Sequence, residues 1–284
     1  MASVPGKVTF YRPGRSFPAV SVTGRKCELM CDYCQGHYLE GMDAVDSAEG
    51  LLALAHRLQA QGAKGFLLSG GCDPRGKVPL QGFLGAVARL KEEMSLAINI
   101  HTGILDGPEE ARALVSSGAD CLSVDIVQDP AVITRTMHLE RGPEDYARTL
   151  ELLFAEGARK VAPHVCIGLS GSVEGEMSSL RLISRYPVSS VILLSFLPAR
   201  GTPMSSTRSP DRERVIEVAK AAVEMVKAPV VIGCMRPRGG WELETELIRS
   251  GVRSLAMPSP RTVRWAESNG IEVEWREECC ALQR

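Results

Sequence analysis

A (β/α)8 barrel of TIM type, closed or partly open, is the fold this sequence predicts, and three observations predict it. Eight short apolar, β-branched runs alternate with eight longer amphipathic stretches from one end of the chain to the other. The short runs lack the polar alternation of a one-sided sheet, as suits strands enclosed by helices. The residues best suited to chemistry fall directly after those runs, where such barrels keep their functional side chains. An open doubly wound sheet is the alternative.

The strands are expected at 20–22, 65–68, 97–100, 121–126, 161–167, 190–196, 230–232 and 254–257. Helices are expected at 47–61, 79–94, 108–117, 143–156, 174–185, 211–227, 241–250 and 260–269. Ser47 with Glu49, Pro108, Pro143 and Asp211 supply caps, first-turn prolines or early acidic residues. Gly62, Gly118, Gly157, Gly251 and Gly270 stop helical runs. No linker divides the repeats, so residues 1–284 read as one domain, with a core of 17–270 and a tail of 271–284.

Charge narrows the function. The net charge of −1, from 33 basic and 34 acidic side chains, gives no global pull toward nucleic acid or an anionic membrane. Arg12, Arg15, Arg25 and Lys26 form a local basic stretch, read as solvated surface or an anion site. No apolar run approaches the roughly 20 residues that span a bilayer, and residues 1–17 lack a signal-type apolar core. The expected location is the cytoplasm, where nine cysteines point to metal binding or catalysis rather than disulfides.

Cys27, Cys31 and Cys34 follow the first strand with spacing C-x3-C-x2-C. Three thiolates on one short loop can ligate three irons of a cubane, leaving the fourth open. A zinc site or unligated thiols are the alternatives, and closed structural zinc sites use four ligands. The other chemistry-bearing positions are Gly70, Gly71 and Cys72 after strand two, His101 at the end of strand three and Asp125 at the end of strand four. Gly168 follows strand five, with Glu174 and Glu176 just beyond, and Cys234 and Arg236 follow strand seven. Arg236 is read as a carboxylate-binding group or a plain loop residue. His101 and His164 read as cavity-lining or as satisfied core histidines. Cys121 reads as a buried small hydrophobe, and Cys166 as facing core or cavity.

The cysteine spacing resembles that of the radical S-adenosylmethionine superfamily, with Tyr33 at the position of its usual aromatic. The resemblance implies a 4Fe-4S cluster on Cys27, Cys31 and Cys34 and S-adenosylmethionine on the open iron. It implies further that Gly70 and Gly71 admit the methionine moiety, although Cys72 replaces the acidic residue usual after that pair. The segment with Gly168 and Glu174 resembles the one near the adenosine, and Asp125 could bind a ribose hydroxyl. Cys72, Cys234, Cys279 and Cys280 are expected to hold an auxiliary 4Fe-4S cluster, with the tail folding back over the barrel mouth. Exposed tail thiols are the bland alternative.

SGGC at 69–72, HTG at 101–103, GLSG at 168–171, GTPM at 201–204, GCMRP at 233–237 and ECC at 278–280 resemble the biotin-synthase-related group. Within it the likeness is nearest to a subunit of the archaeal two-protein lipoyl synthases. That implies sulfur insertion into an octanoyl-lysine on a carrier protein, with Cys72 and Cys234 serving the sulfur donor. The partners implied are the octanoylated carrier protein, a second related radical subunit and a small ferredoxin or flavodoxin. Biotin synthase, a metallocofactor maturase, a non-catalytic iron-sulfur scaffold and a zinc barrel hydrolase are the alternatives.

Overall fold

The computed structural model describes residues 5–283. In chain order its elements are β1 (Lys7–Tyr11), β2 (Ala19–Ser21), β3 (Asp43–Ala44), α1 (Ala48–Ala60), β4 (Gly65–Ser69), α2 (Leu84–Glu93), β5 (Ala97–His101) and α3 (Pro108–Ser116). Then come β6 (Cys121–Asp125), α4 (Pro143–Ala155), β7 (Val161–Ile167), α5 (Glu174–Ile183), β8 (Val191–Ser195), α6 (Arg212–Met225), β9 (Val230–Ile232), α7 (Trp241–Arg249), β10 (Ser254–Ala256), α8 (Pro260–Ser268) and β11 (Glu272–Arg276). Most helices start close to where their sequences predict, whereas α2 begins at Leu84, five residues after the expected start at 79. Ser47, Asp211 and Ser259 side chains each accept from a first-turn N–H, and prolines open α3, α4 and α8.

One sheet of eleven strands runs in the order β11-β1-β10-β9-β8-β7-β6-β5-β4-β2-β3, and every pairing is parallel. The order from β10 to β4 is sequential, and successive helices from α1 to α4 and from α5 to α8 pack on one another, so no strand-order reversal of the doubly wound kind occurs. The sheet curls, but no pairing joins β3 to β11 among the described residues. It is a partial barrel.

All eight expected strands form. β1, β3 and β11 were not expected, and the tail is therefore shorter than 271–284. The sequence KVTFY alternates, burying Val8 and Phe10, while Lys7 pairs with Glu272 and Glu274 across the edge. β11 is the edge strand, and its polar EVEWR sequence reads as a tail until β1 pairs with it. Trp275 packs at 5.4 Å on Phe10, beneath the Arg12 guanidinium.

Two apolar layers result. The larger lies between sheet and helices, including Phe66, Leu90, Ile98, Leu150 and Val218. The smaller fills the barrel lumen, where Tyr11, Phe17, Cys121, Ala162, Ile192, Val231 and Ala256 meet Cys280, Ala281 and Leu282 of the tail. Lumens of closed barrels are filled by layers of strand side chains. Here a strap of main chain does part of that filling. Glu277 pairs with Lys64 below β4, Cys121 Sγ donates to Ala281 O at 3.6 Å, and Gln283 Nε2 donates to Tyr11 Oη at 2.8 Å. The tail thus enters from the strands' N-terminal ends. It does not fold over the mouth, as the sequence had led us to expect.

Candidate active site

The loop after β2 is turn-rich, with Met30, Gln35 and Gly36 at positive φ. It is anchored from several directions. Asp32 N–H donates to Thr136 O at 2.8 Å, Met204 N–H to Asp32 O at 3.1 Å, and Glu28 N–H to Cys72 O at 2.8 Å. Cys31 Sγ donates to Met137 O at 3.8 Å, and the His138 ring lies 2.9 Å from Asp32 Oδ1. Cys27, Cys31 and Cys34 all line a cavity of about 370 Å³ among the strands' C-terminal ends, with Tyr33, Gly70, Gly71, Cys72, Asp125 and Cys166. That size lies within the range of small-molecule sites.

The thiols fit an iron–sulfur cube. Burial pushes Cys31 up to about 12, and the charges of Cys27 and Cys34 push the same way. Burial also raises Cys34. Protein alone would keep these thiols protonated, and iron cations would relieve both costs. No three His, Cys, Asp or Glu side chains converge on one point as ligands of a single ion among the described residues. Cysteines bound to different irons of a cube do not need to converge.

The glycine pair has a physical cause beyond access for a ligand. A Cβ on Gly71 would lie 2.0 Å from Lys26 O and 2.6 Å from Cys27 Cα, so only glycine lets the cysteine loop lie against β4. Gly71 N–H donates to Thr23 Oγ1 at 2.7 Å. Gly168 takes φ +95°, and a Cβ there would meet Pro210 at 2.8 Å.

At the cavity floor, β5, β6 and β7 align three polar residues. His101 Nε2 lies 3.4 Å from Asp125 Oδ1, and the His101 ring stacks on His164 at 4.9 Å. Burial alone would lower His101, but the Asp125 carboxylate outweighs it and raises the imidazole. Burial would raise Asp125, and the His101 charge holds it below the usual range. Burial, with His101 adding repulsion, lowers His164 to about 4, so its Nδ1–H donates to Ala162 O at 3.0 Å from a neutral ring.

Several expected site residues lie elsewhere. The Arg236 guanidinium is buried, donating to Glu244 Oε1 at 2.6 Å and Met257 O at 3.2 Å, while Glu244 also accepts from Ser259 N and the Thr262 hydroxyl. It ties the loop after β9 to α7 and α8 and does not reach for a carboxylate in the cavity. Glu174 is 75% exposed against Arg181 on the outer surface. Its neighbour Glu176 is the buried one: it accepts from Gly168 N and Arg214 Nη2, and Arg214 also holds the Ser170 and Ser172 carbonyls. Sequence reasoning missed Arg214, because an ion pair 38 residues apart leaves no local signal. Cys166 lines the cavity.

The four cysteines expected to share a second cluster divide. Cys72 N–H donates to Cys27 Sγ at 3.4 Å, on the wall of the first cavity. Cys279 and Cys280 lie in the lumen, whereas Cys234 is exposed on the loop after β9. Cys279 accepts from Asn99 Nδ2 at 3.5 Å, and Ser123 Oγ donates to Asn99 Oδ1 at 3.0 Å to fix that amide. Cys121 joins the tail thiols in the lumen.

A parallel partial barrel with a three-thiol loop at the strands' C-terminal ends is the framework of a metallocofactor enzyme. The chain belongs to the Radical SAM superfamily, which matches residues 21–182, more than half of its length. The 7,8-didemethyl-8-hydroxy-5-deazariboflavin synthase of Archaeoglobus fulgidus is 25% identical over 228 residues, covering 73% of this chain and 68% of that protein. Among solved structures, a methylornithine synthase shares the fold at TM-score 0.65 with 18% identity, covering 96% of this chain and 85% of that one. The FeFe-hydrogenase maturase HydG from Carboxydothermus hydrogenoformans matches at TM-score 0.63 with 14% identity, covering 88% of this chain and 59% of that one. The chain thus spans little more than half the length of that maturase. No helix among the described residues is long and apolar enough to cross a membrane.

Proposed function

We propose that the protein is a sulfur-inserting enzyme of lipoyl synthase type, acting on an octanoyl-lysine of a carrier protein. What supports this reading is a second set of thiols apart from the loop: Cys279 and Cys280 of the tail in the lumen, with Cys234 on the loop after β9. Cys27, Cys31 and Cys34 would hold the cluster that binds S-adenosylmethionine, and the second trio an auxiliary cluster. Bound, these groups supply a deoxyadenosyl radical able to take hydrogen from an unactivated carbon, and a sulfide for that carbon. The chain's residues do the positioning. Gly70 and Gly71 border the place for the methionine moiety, and Asp125 offers a carboxylate to a ribose hydroxyl. Leu67, Leu194 and Met235 give the cavity an apolar wall that suits an acyl chain and excludes water. An octanoylated carrier protein, a second related subunit and a small ferredoxin or flavodoxin are the partners of this reading.

A second reading rests on the Archaeoglobus fulgidus relative: synthesis of a deazaflavin-type compound, for which no sulfur donor is needed. Anaerobic reconstitution followed by dithionite, S-adenosylmethionine and an octanoylated lysyl peptide separates the two. The sulfur-insertion reading expects about eight irons per chain, 5′-deoxyadenosine and thiolated peptide. About four irons, with cofactor cleavage but no thiolated product, overturns it.

A further inference from the structure

Cys72 is tied to the cysteine loop by backbone from both sides. Its N–H donates to Cys27 Sγ at 3.4 Å and its C=O accepts from Glu28 N at 2.8 Å. Gly71 is pressed against Lys26 O and Cys27 Cα, so this junction cannot swing away without breaking the packing of the loop. The Cys72 side chain lines the same cavity as Cys27, Cys31 and Cys34. Five thiols line that cavity, and of the two outside the loop, Cys72 and Cys166, Cys72 is the one hydrogen-bonded to a loop cysteine; with Cys27, Cys31 and Cys34 it makes four, one for each iron of a 4Fe-4S cube. Three belong to the superfamily's loop, and the fourth comes from a different strand end.

We propose that Cys72 is the resting ligand of the fourth iron, holding that corner until S-adenosylmethionine displaces it. A soft thiolate is a better iron ligand than water, so an empty enzyme would keep its most exposed iron. On binding, the Cys72 thiol gives its proton to solvent and its sulfur bonds the iron. On displacement the Fe–S bond breaks, the amino and carboxylate groups of S-adenosylmethionine bond that iron, and the thiolate takes a proton back. No electron moves in either direction. The inference rests on the cluster at Cys27, Cys31 and Cys34 and not on the identity of the substrate.

The test uses reconstituted full-length protein with Cys234, Cys279 and Cys280 replaced by alanine in every sample, so that only the cluster of Cys27, Cys31 and Cys34 is read. It reads that cluster rather than turnover, and wild type here means Cys72 intact in this background. Ferricyanide oxidation without S-adenosylmethionine should leave the wild type EPR-silent, whereas Cys72→Ala should give the signal of a three-iron cluster. S-adenosylmethionine should bind Cys72→Ala about tenfold tighter, as expected when a ligand occupying the corner about nine-tenths of the time is removed. Mössbauer spectra of the wild type avoid any folding defect of the variant. Before S-adenosylmethionine all irons should look alike, and afterwards one should separate. A distinct iron already present in the empty wild type, or equal iron loss in wild type and Cys72→Ala, overturns the proposal. Because thiolated product is not measured, failure here leaves the sulfur-insertion reading to its own experiment.

Discussion

The cysteine loop after β2 and the cysteines of the tail are both thiol-rich, yet they are built in opposite ways. Cys27, Cys31 and Cys34 are neighbours in sequence, on a loop whose turns are set by its own hydrogen bonds, such as Cys34 N–H to Cys31 O at 3.0 Å. Cys279 and Cys280 sit on a strap placed by contacts with residues far away in the chain, Asn99, Cys121 and Tyr11. Local spacing reveals the first site. The second depends on how the chain's last residues thread the lumen, and spacing is silent on that.

The contrast breaks most sharply when each site loses its sulfurs. Replacing Cys27, Cys31 and Cys34 together with alanine should abolish 5′-deoxyadenosine formation, read by chromatography after dithionite reduction. Cys279→Ala should leave cofactor cleavage in place but abolish thiolated peptide, read by mass spectrometry; unchanged thiolation would separate the tail from the chemistry. Next in size is the buried Arg236–Glu244 pair. Arg236→Ala strands a carboxylate and should cost about 3–5 kcal/mol in urea unfolding, whereas Arg236→Met with Glu244→Leu should cost far less. Leu282→Ala, in the lumen, should cost about 2–4 kcal/mol and shift the same transition.

The smallest effect is electrostatic and has a definite sign. His101 is raised, so its stabilisation is complete below the ordinary imidazole value, about 6.5, and is lost as pH rises through the raised one. Asp125 is depressed, so its share is present above the ordinary carboxyl value, about 3.9, and is lost as pH falls through the depressed one. The pair contributes most between those limits. Thermal unfolding of Asp125→Asn should therefore differ most from wild type at about pH 5 and converge toward it in alkali. A constant difference across that range would show that the two groups do not titrate as a pair.

Much of the frame is legible in the residues. Parallel strands covered by helices need apolar runs and capped amphipathic stretches, and both are local patterns. β1 and β11 escaped because each is half polar, and their pairing joins residues more than 250 positions apart, as between Lys7 and Glu272. Gly70 and Gly71 were readable as glycines required by close approach, but not what approaches. At Gly71 it is the cysteine loop. Arg236 and Glu174 illustrate a related reason: a charged residue near a strand end has the same sequence signature whether it faces the cavity, solvent or a buried partner.

By itself, then, the sequence determined the alternating fold and the three-thiol loop, because hydrophobic period and short ligand spacing act over a few residues. Only the tertiary structure decided that Cys72 joins the first thiols, that Cys279 and Cys280 enter the lumen beside Cys121, and that the tail fills the lumen from below. Those outcomes depend on which distant surfaces bury one another, a choice made by packing across the whole chain.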